Sequence, residues 1–137
     1  MRMLSTPKKI PIVVAVFFAI AGTSILGHHS FSAEFDANKP VKITGTVTKI
    51  EWMNPHVWFY MDVKDDAGNV NNWGVEMGSP NGLMRTGWTR NSMKLKDVVT
   101  VEGSRAKDGS TTANARTVTL SGSGKALFAA SSQGNGS

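Results

Sequence analysis

The chain has 137 residues, 15 basic and 10 acidic side chains (formal charge +5) and no cysteine. One domain is the expectation at this length, and thiol nucleophiles and soft thiolate metal ligands are excluded. Arg2, Lys8 and Lys9 lie in an N-terminal leader; without them the balance is 12 against 10, or +2, too weak for a nucleic-acid face.

The leader reads as a secretory signal. A basic start precedes the apolar run IPIVVAVFFAIA (Ile10–Ala21), and a short stretch of mostly small residues, GTSILG, follows it. A retained anchor is the alternative, but Ile10–Leu26 is 17 residues broken by Pro, Gly, Thr and Ser, short of the roughly 20 apolar residues a span needs. Ala19-Ile20-Ala21 suits cleavage after Ala21, whereas cleavage after Gly27 would make His28 the first residue. Both remain open. The signal places the mature protein in the periplasm or outside the cell, and any membrane contact would run through an uncleaved leader. About 110 residues can bury a core without disulfides.

Residues 28–40 form a lead-in in which Phe31 and Phe35, four apart, can share one face of a helical turn. VKITGTVTKIEW (Val41–Trp52) reads as a long first strand. Val41, Ile43, Gly45 and Val47 alternate, and the phase then slips to Ile50 and Trp52, the mark of a bulge. Asn54-Pro55 is a turn. In HVWFYMDVK (His56–Lys64) Val57, Phe59, Met61 and Val63 face inward, while Trp58, Tyr60 and Asp62 face outward. Asp65–Asn69 is a hairpin loop, its two aspartates serving the turn. In VNNWGVEMG (Val70–Gly78) Trp73, Val75 and Met77 face inward; Asn72 and Glu76 face outward, and alternation lets Glu76 meet Asp62. Ser79-Pro80 starts a short helix. Asp97–Ala106 and Asn114–Gly122 are the fourth and fifth strands, with Val99, Val101, Val118 and Leu120 inward. The Gly/Ser-rich tail, residues 123–137, reads as flexible.

The order β, β, β, helix, β, β predicts an all-β domain with one short helix: an OB-fold-like five-stranded Greek-key barrel over residues 41–122. A plain antiparallel meander or a sandwich fragment is the competing topology. The segments HHSFSAEFD, KITGTVTKIEWMNPHVWFYMDVKD and VTVEGSRAKDGSTTANARTVTL resemble DUF6152, a family of small exported bacterial proteins of unknown function. The resemblance covers about His28–Leu120 and implies export and a compact β domain, without an activity.

Two constellations could carry function. The first is an aromatic groove on strands two and three, with Trp58, Tyr60, Asn72 and Glu76 beside Asn54 and Pro55. OB-folds bind ligands on this face, and the fitting partners are a small molecule, a glycan or an envelope protein. Alternatively, Phe31 and Phe35 cover the two rings. The second is a metal site from His28, His29 and His56. With His28 as first residue, its amine and imidazole chelate together, and His56 completes a histidine-brace-like copper site. Two adjacent histidines lack a regular metal spacing, and the bland reading makes them a solvated start. Nothing matches a nucleophile elbow or a phosphate loop. A non-enzymatic binding module is the leading expectation, with a copper protein or a structural envelope domain as alternatives.

Overall fold

A computed structural model of the chain describes residues 31–129. Among the described residues a helical turn at 31–34 precedes six strands and a short helix, in the order β1 (Phe35–Glu51), β2 (Trp58–Lys64), β3 (Val70–Glu76), α1 (Pro80–Arg85), β4 (Val98–Ala106), β5 (Thr112–Leu120) and β6 (Lys125–Phe128). Antiparallel pairings run β3–β2–β1–β4–β5–β6, and a parallel β3–β5 pairing joins the ends of the first five. The ring of pairings 1-2-3-5-4 is the OB-type barrel expected from the element order.

β1 serves two neighbours because it is long and bulged. Its first part pairs with β4 (Val41–Thr46 opposite Gly103–Val98), and its second part pairs with β2 (Thr46–Glu51 opposite Asp62–Trp58). The register shift lies between Val47 and Lys49, where the apolar alternation slips. Gly45 is required by close approach: a Cβ there would sit 2.3 Å from the Asp62 carbonyl oxygen.

The core lies inside the ring. Val47, Phe59, Met61, Trp73, Val75, Met77, Val99, Val101 and Val118 are buried there, as alternation predicts, with Leu83 and Trp88 beside them. Met61 and Met77 are therefore packing residues. α1 is short and locally capped: Ser79 Oγ accepts the Gly82 N–H at 3.1 Å, and Pro80 opens the first turn.

Both chain ends of the described region differ from expectation. β1 starts at Phe35, six residues earlier than the sequence reading, because Phe35 and Asp36 already pair with Ala106 and Arg105 of β4. A wide bulge then takes the chain from Asp36 to Pro40 over a single step of β4. The helical turn at residues 31–34 precedes this stub, and Phe31 stacks on Phe35 at 5.7 Å. The pairing fastens the Phe35 backbone to β4, and the Phe35 side chain is buried.

The tail, read as flexible, contributes β6. One edge of β5 pairs with β3 over Thr112–Asn114 and with β6 over Thr117–Leu120, so β6 continues the wall where β3 stops. Leu127 and Ala129 join the core. The Phe128 carbonyl accepts the Trp88 indole N–H and the Thr86 hydroxyl, each at 3.1 Å. Four residues of weak pattern inside a Gly/Ser-rich stretch gave no strand signal; the ladder with β5 and the bonds from Thr86 and Trp88 supply the order.

Candidate functional site

β2 presents its outer face through strict alternation: Phe59 and Met61 are fully buried, and Trp58 and Tyr60 are half-buried on the opposite side. Tyr60 lies across from Gly74 on β3. A Cβ on Gly74 would lie 3.4 Å from Tyr60 Cε1 and 3.7 Å from Trp58 Cζ3, so both rings lean over the space the glycine leaves. The Tyr60 hydroxyl donates to Glu51 Oε2 at 3.3 Å, and Lys49 Nζ stands 5.2 Å above the Tyr60 ring while pairing with Glu51 at 2.5 Å. Asn72 is exposed, and its amide donates to Asp62 Oδ1 (2.8 Å) and Thr48 Oγ1 (3.2 Å). The face thus consists of two adjacent rings, a Lys49–Glu51 pair on one flank and an Asn72–Asp62 amide–carboxylate pair on the other.

Glu76 departs from the sequence reading. It was expected as an open polar handle, but it is only 6% exposed. Nor does it meet Asp62, because the register sets Asp62 opposite Asn72 and Trp58 opposite Glu76. Across the parallel pairing Glu76 faces Asn114 of β5, and Asn114 faces Ser104 of β4; these two are also buried. A polar row, Ser104–Asn114–Glu76, therefore crosses three strands and ends beside Trp58. Phe35 is buried near its β4 end, outside the central cluster.

His56 reaches this row from the turn before β2. Its peptide neighbourhood is pinned by Val57 N–H to the Gly78 carbonyl and Met77 N–H to the Val57 carbonyl, both 2.9 Å, which extend the β2–β3 ladder beyond Trp58. The Asn54-Pro55 bond of this turn is cis. His56 Nδ1 lies 3.1 Å from Glu76 Oε1, with the imidazole 31% exposed, and Asn114 Nδ2 donates to the same oxygen at 3.3 Å. Burial pushes the Glu76 carboxyl up to about 7; the Glu34 charge pushes the same way, and the Asn114 amide opposes them. A single proton can sit on either side of the His56–Glu76 contact: a carboxylic acid donates to Nδ1, or an Nδ1–H donates to the carboxylate.

Of the residues expected at the groove, Trp58, Tyr60 and Asn72 share one outer face, and Asn54-Pro55 is the turn that delivers His56. Glu76 belongs to the buried row. Asn114 was missed because a parallel β3–β5 contact between residues 38 positions apart leaves no mark on local alternation, and Glu34 because it is brought in by the attachment of residues 34–36 to β4. His28 and His29 lie outside the described residues. Among the described residues, no group of three or more His, Cys, Asp and Glu could hold a metal ion, and no helix is long and apolar enough to cross a membrane. Asp65 is a turn former, as expected: its Oδ1 accepts the Ala67 and Asn69 N–H groups.

Fold and face together define an all-β domain of OB-type topology, with a half-exposed aromatic pair beside a contact between a partly exposed histidine and a buried carboxyl group. No curated protein matches the chain. The model of DUF6152, a family of unknown function, matches residues 16–115, and the chain belongs to that family.

Proposed function

We propose that the protein is an exported, non-enzymatic binding module whose ligand face is Trp58, Tyr60 and Asn72, with His56 at one end. The observation that carries this reading is the pair of half-buried rings leaning together over Gly74 and flanked by charged and amide groups. Rings of this kind offer a flat apolar platform, and their polar neighbours offer directional hydrogen bonds. A sugar ring has matching chemistry: an apolar face to stack and hydroxyls to reach Asn72, Lys49 and Glu51. A glycan is therefore the first ligand class to test.

Tryptophan fluorescence titration with neutral cello-, chito- and malto-oligosaccharides is the test. Saturable binding is expected from at least one series, with Trp58→Ala or Tyr60→Ala at least tenfold weaker and the thermal midpoint nearly unchanged. Failure of every series would remove the glycan assignment. Unfolding of both variants would mean that the rings are structural cover and would end the groove reading.

A specific contact favours a second reading, a copper site. Metal-bound histidine commonly gives its other ring nitrogen to a carboxylate, and the Nδ1 contact with Glu76 leaves His56 Nε2 as the coordinating atom. Glu34, six residues after His28, lies near enough to Glu76 for its charge to act there. Cleavage after Gly27 would supply the His28 amine and imidazole as a chelate, with His29 as a further donor. Copper titration of the processed protein is expected to show at least tenfold weaker binding after His56→Ala. Equal affinity in both proteins would exclude His56 as a ligand.

A further inference from the structure

The segment that joins α1 to β4 has a composition and shape that the ligand face does not use. From Gly78 to Lys96 the chain carries Arg85, Arg90, Lys94 and Lys96 and no acidic residue. Its last part is an ordered loop. The Ser92 hydroxyl accepts the Thr89 N–H at 2.8 Å, Asp97 Oδ2 accepts the Lys94 N–H at 2.8 Å, and the Lys96 N–H donates to the Val47 carbonyl at 2.8 Å. Lys96 is held at φ 74°, in the left-handed region that glycine enters without steric cost and lysine does not. Lys94, Leu95 and Lys96 are consecutive and all exposed, with Leu95 at 58%. Val98, 45% exposed, follows at the start of β4. Lys94, Lys96 and Val98 line an open groove with Asp97 and with Ser121 and Ser123 of the β5–β6 turn.

We infer that this loop is a membrane-surface contact, in which Lys94 and Lys96 take the phosphates of anionic phospholipids and Leu95 dips between the headgroups. Paired cations flanking an exposed apolar tip on a fixed loop have the chemistry of an interfacial anchor: charge attracts the surface and the apolar side chain gains by leaving water. A free phosphate would use the lysines and serines but leave Leu95 without a role. A soluble polyanion would do the same.

The absence of cysteine from the chain makes the test clean. A Leu95→Cys variant of the full-length protein carries one environment-sensitive dye, and a Ser110→Cys variant carries it in the hairpin at the opposite end of β4. With vesicles containing phosphatidylglycerol, the dye at position 95 is expected to shift to the blue and the dye at 110 to stay unchanged. Pure phosphatidylcholine vesicles should leave both unchanged. Adding Lys94→Gln and Lys96→Gln to the Leu95→Cys protein should move the lipid titration midpoint about thirtyfold higher, and raised salt should act in the same direction. An equal shift at both labels, or the same shift on neutral vesicles, would overturn the inference. So would suppression of the lipid response by millimolar inorganic phosphate or heparin together with an identical dye shift on those anions alone, which would mark an anion groove and no membrane anchor.

Discussion

Replacing Gly103 by alanine is expected to destabilise the protein more than any other single methyl addition to the barrel. A Cβ at this position would sit 1.9 Å from the Asn114 carbonyl oxygen and 2.9 Å from its carbonyl carbon, with Ala115 Cα at 3.0 Å. All three obstacles are main chain, so no rotamer change relieves them. β4 and β5 would have to part where their register shifts, between Glu102 and Gly103. Gly103 also pairs with Val41 of β1, so movement away from β5 strains the other ladder. A cost of about 3 kcal/mol or more is expected, at the upper end of overpacking effects because backbone must move. Urea denaturation of Gly103→Ala should show a lower midpoint with an unchanged slope. Near-wild-type stability would mean that the two strands are further apart than described. The displacement would also move Asn114 from Glu76, so weakened structure and a disturbed polar row should appear together.

The second large effect is a pH dependence with an inverted sign. Most carboxylates support folding when ionised, and Asp65 and Asp108 are of this kind: hydrogen bonds from turn N–H groups hold both below their usual range. Their support is lost only as the solution becomes strongly acid. Glu76 does the reverse. Burial, assisted by Glu34, raises its carboxyl from the usual 4.5 to about 7 in the folded protein. The folded state then binds more protons than the unfolded chain between these values, so stability falls as pH rises from about 4.5 to about 7. The full penalty, about 3 kcal/mol as an order of magnitude, is present above pH 7. Glu76→Gln retains the shape and an acceptor for Asn114 and removes the ionisation. Its unfolding free energy should be nearly flat over this window and should exceed that of the wild type at pH 8. A wild-type protein that gains stability between pH 5 and pH 8, or a Gln variant with the same slope, would refute the assignment of the buried proton to Glu76.

The inverted dependence also bears on the proposed ligand face. Trp58 lies opposite Glu76 in register, and His56 contacts the same carboxyl. A change of charge at Glu76 therefore alters the field at the end of the aromatic platform and the hydrogen-bonding role of His56. Binding measurements on this face need to be made on both sides of pH 7, with Glu76→Gln as the reference that does not titrate.

Local pattern was informative wherever a strand has one wet and one dry face. The inward set of β2 and β3, the outward turn of Trp58 and Tyr60 and the bulge after Val47 all follow from period-two alternation. Asp65 with Gly68 marked the hairpin, and Ser79 with Pro80 marked the start of α1. Their physics is local: a side-chain oxygen within four residues of the N–H it satisfies, or a ring that already fixes φ.

What the amino-acid order determined by itself was therefore the class of the domain, the succession of its elements, and which rings of β2 point outward. Tertiary structure alone decided that Glu76 is buried, that its partners are Asn114 and His56, that Phe35 extends the first strand and that the tail supplies a sixth. The reason is the same in each case. Alternation along a strand distinguishes one face from the other but does not tell which face other parts of the chain will cover. That depends on contacts such as β3 with β5 and residues 34–36 with β4, made between segments far apart in sequence.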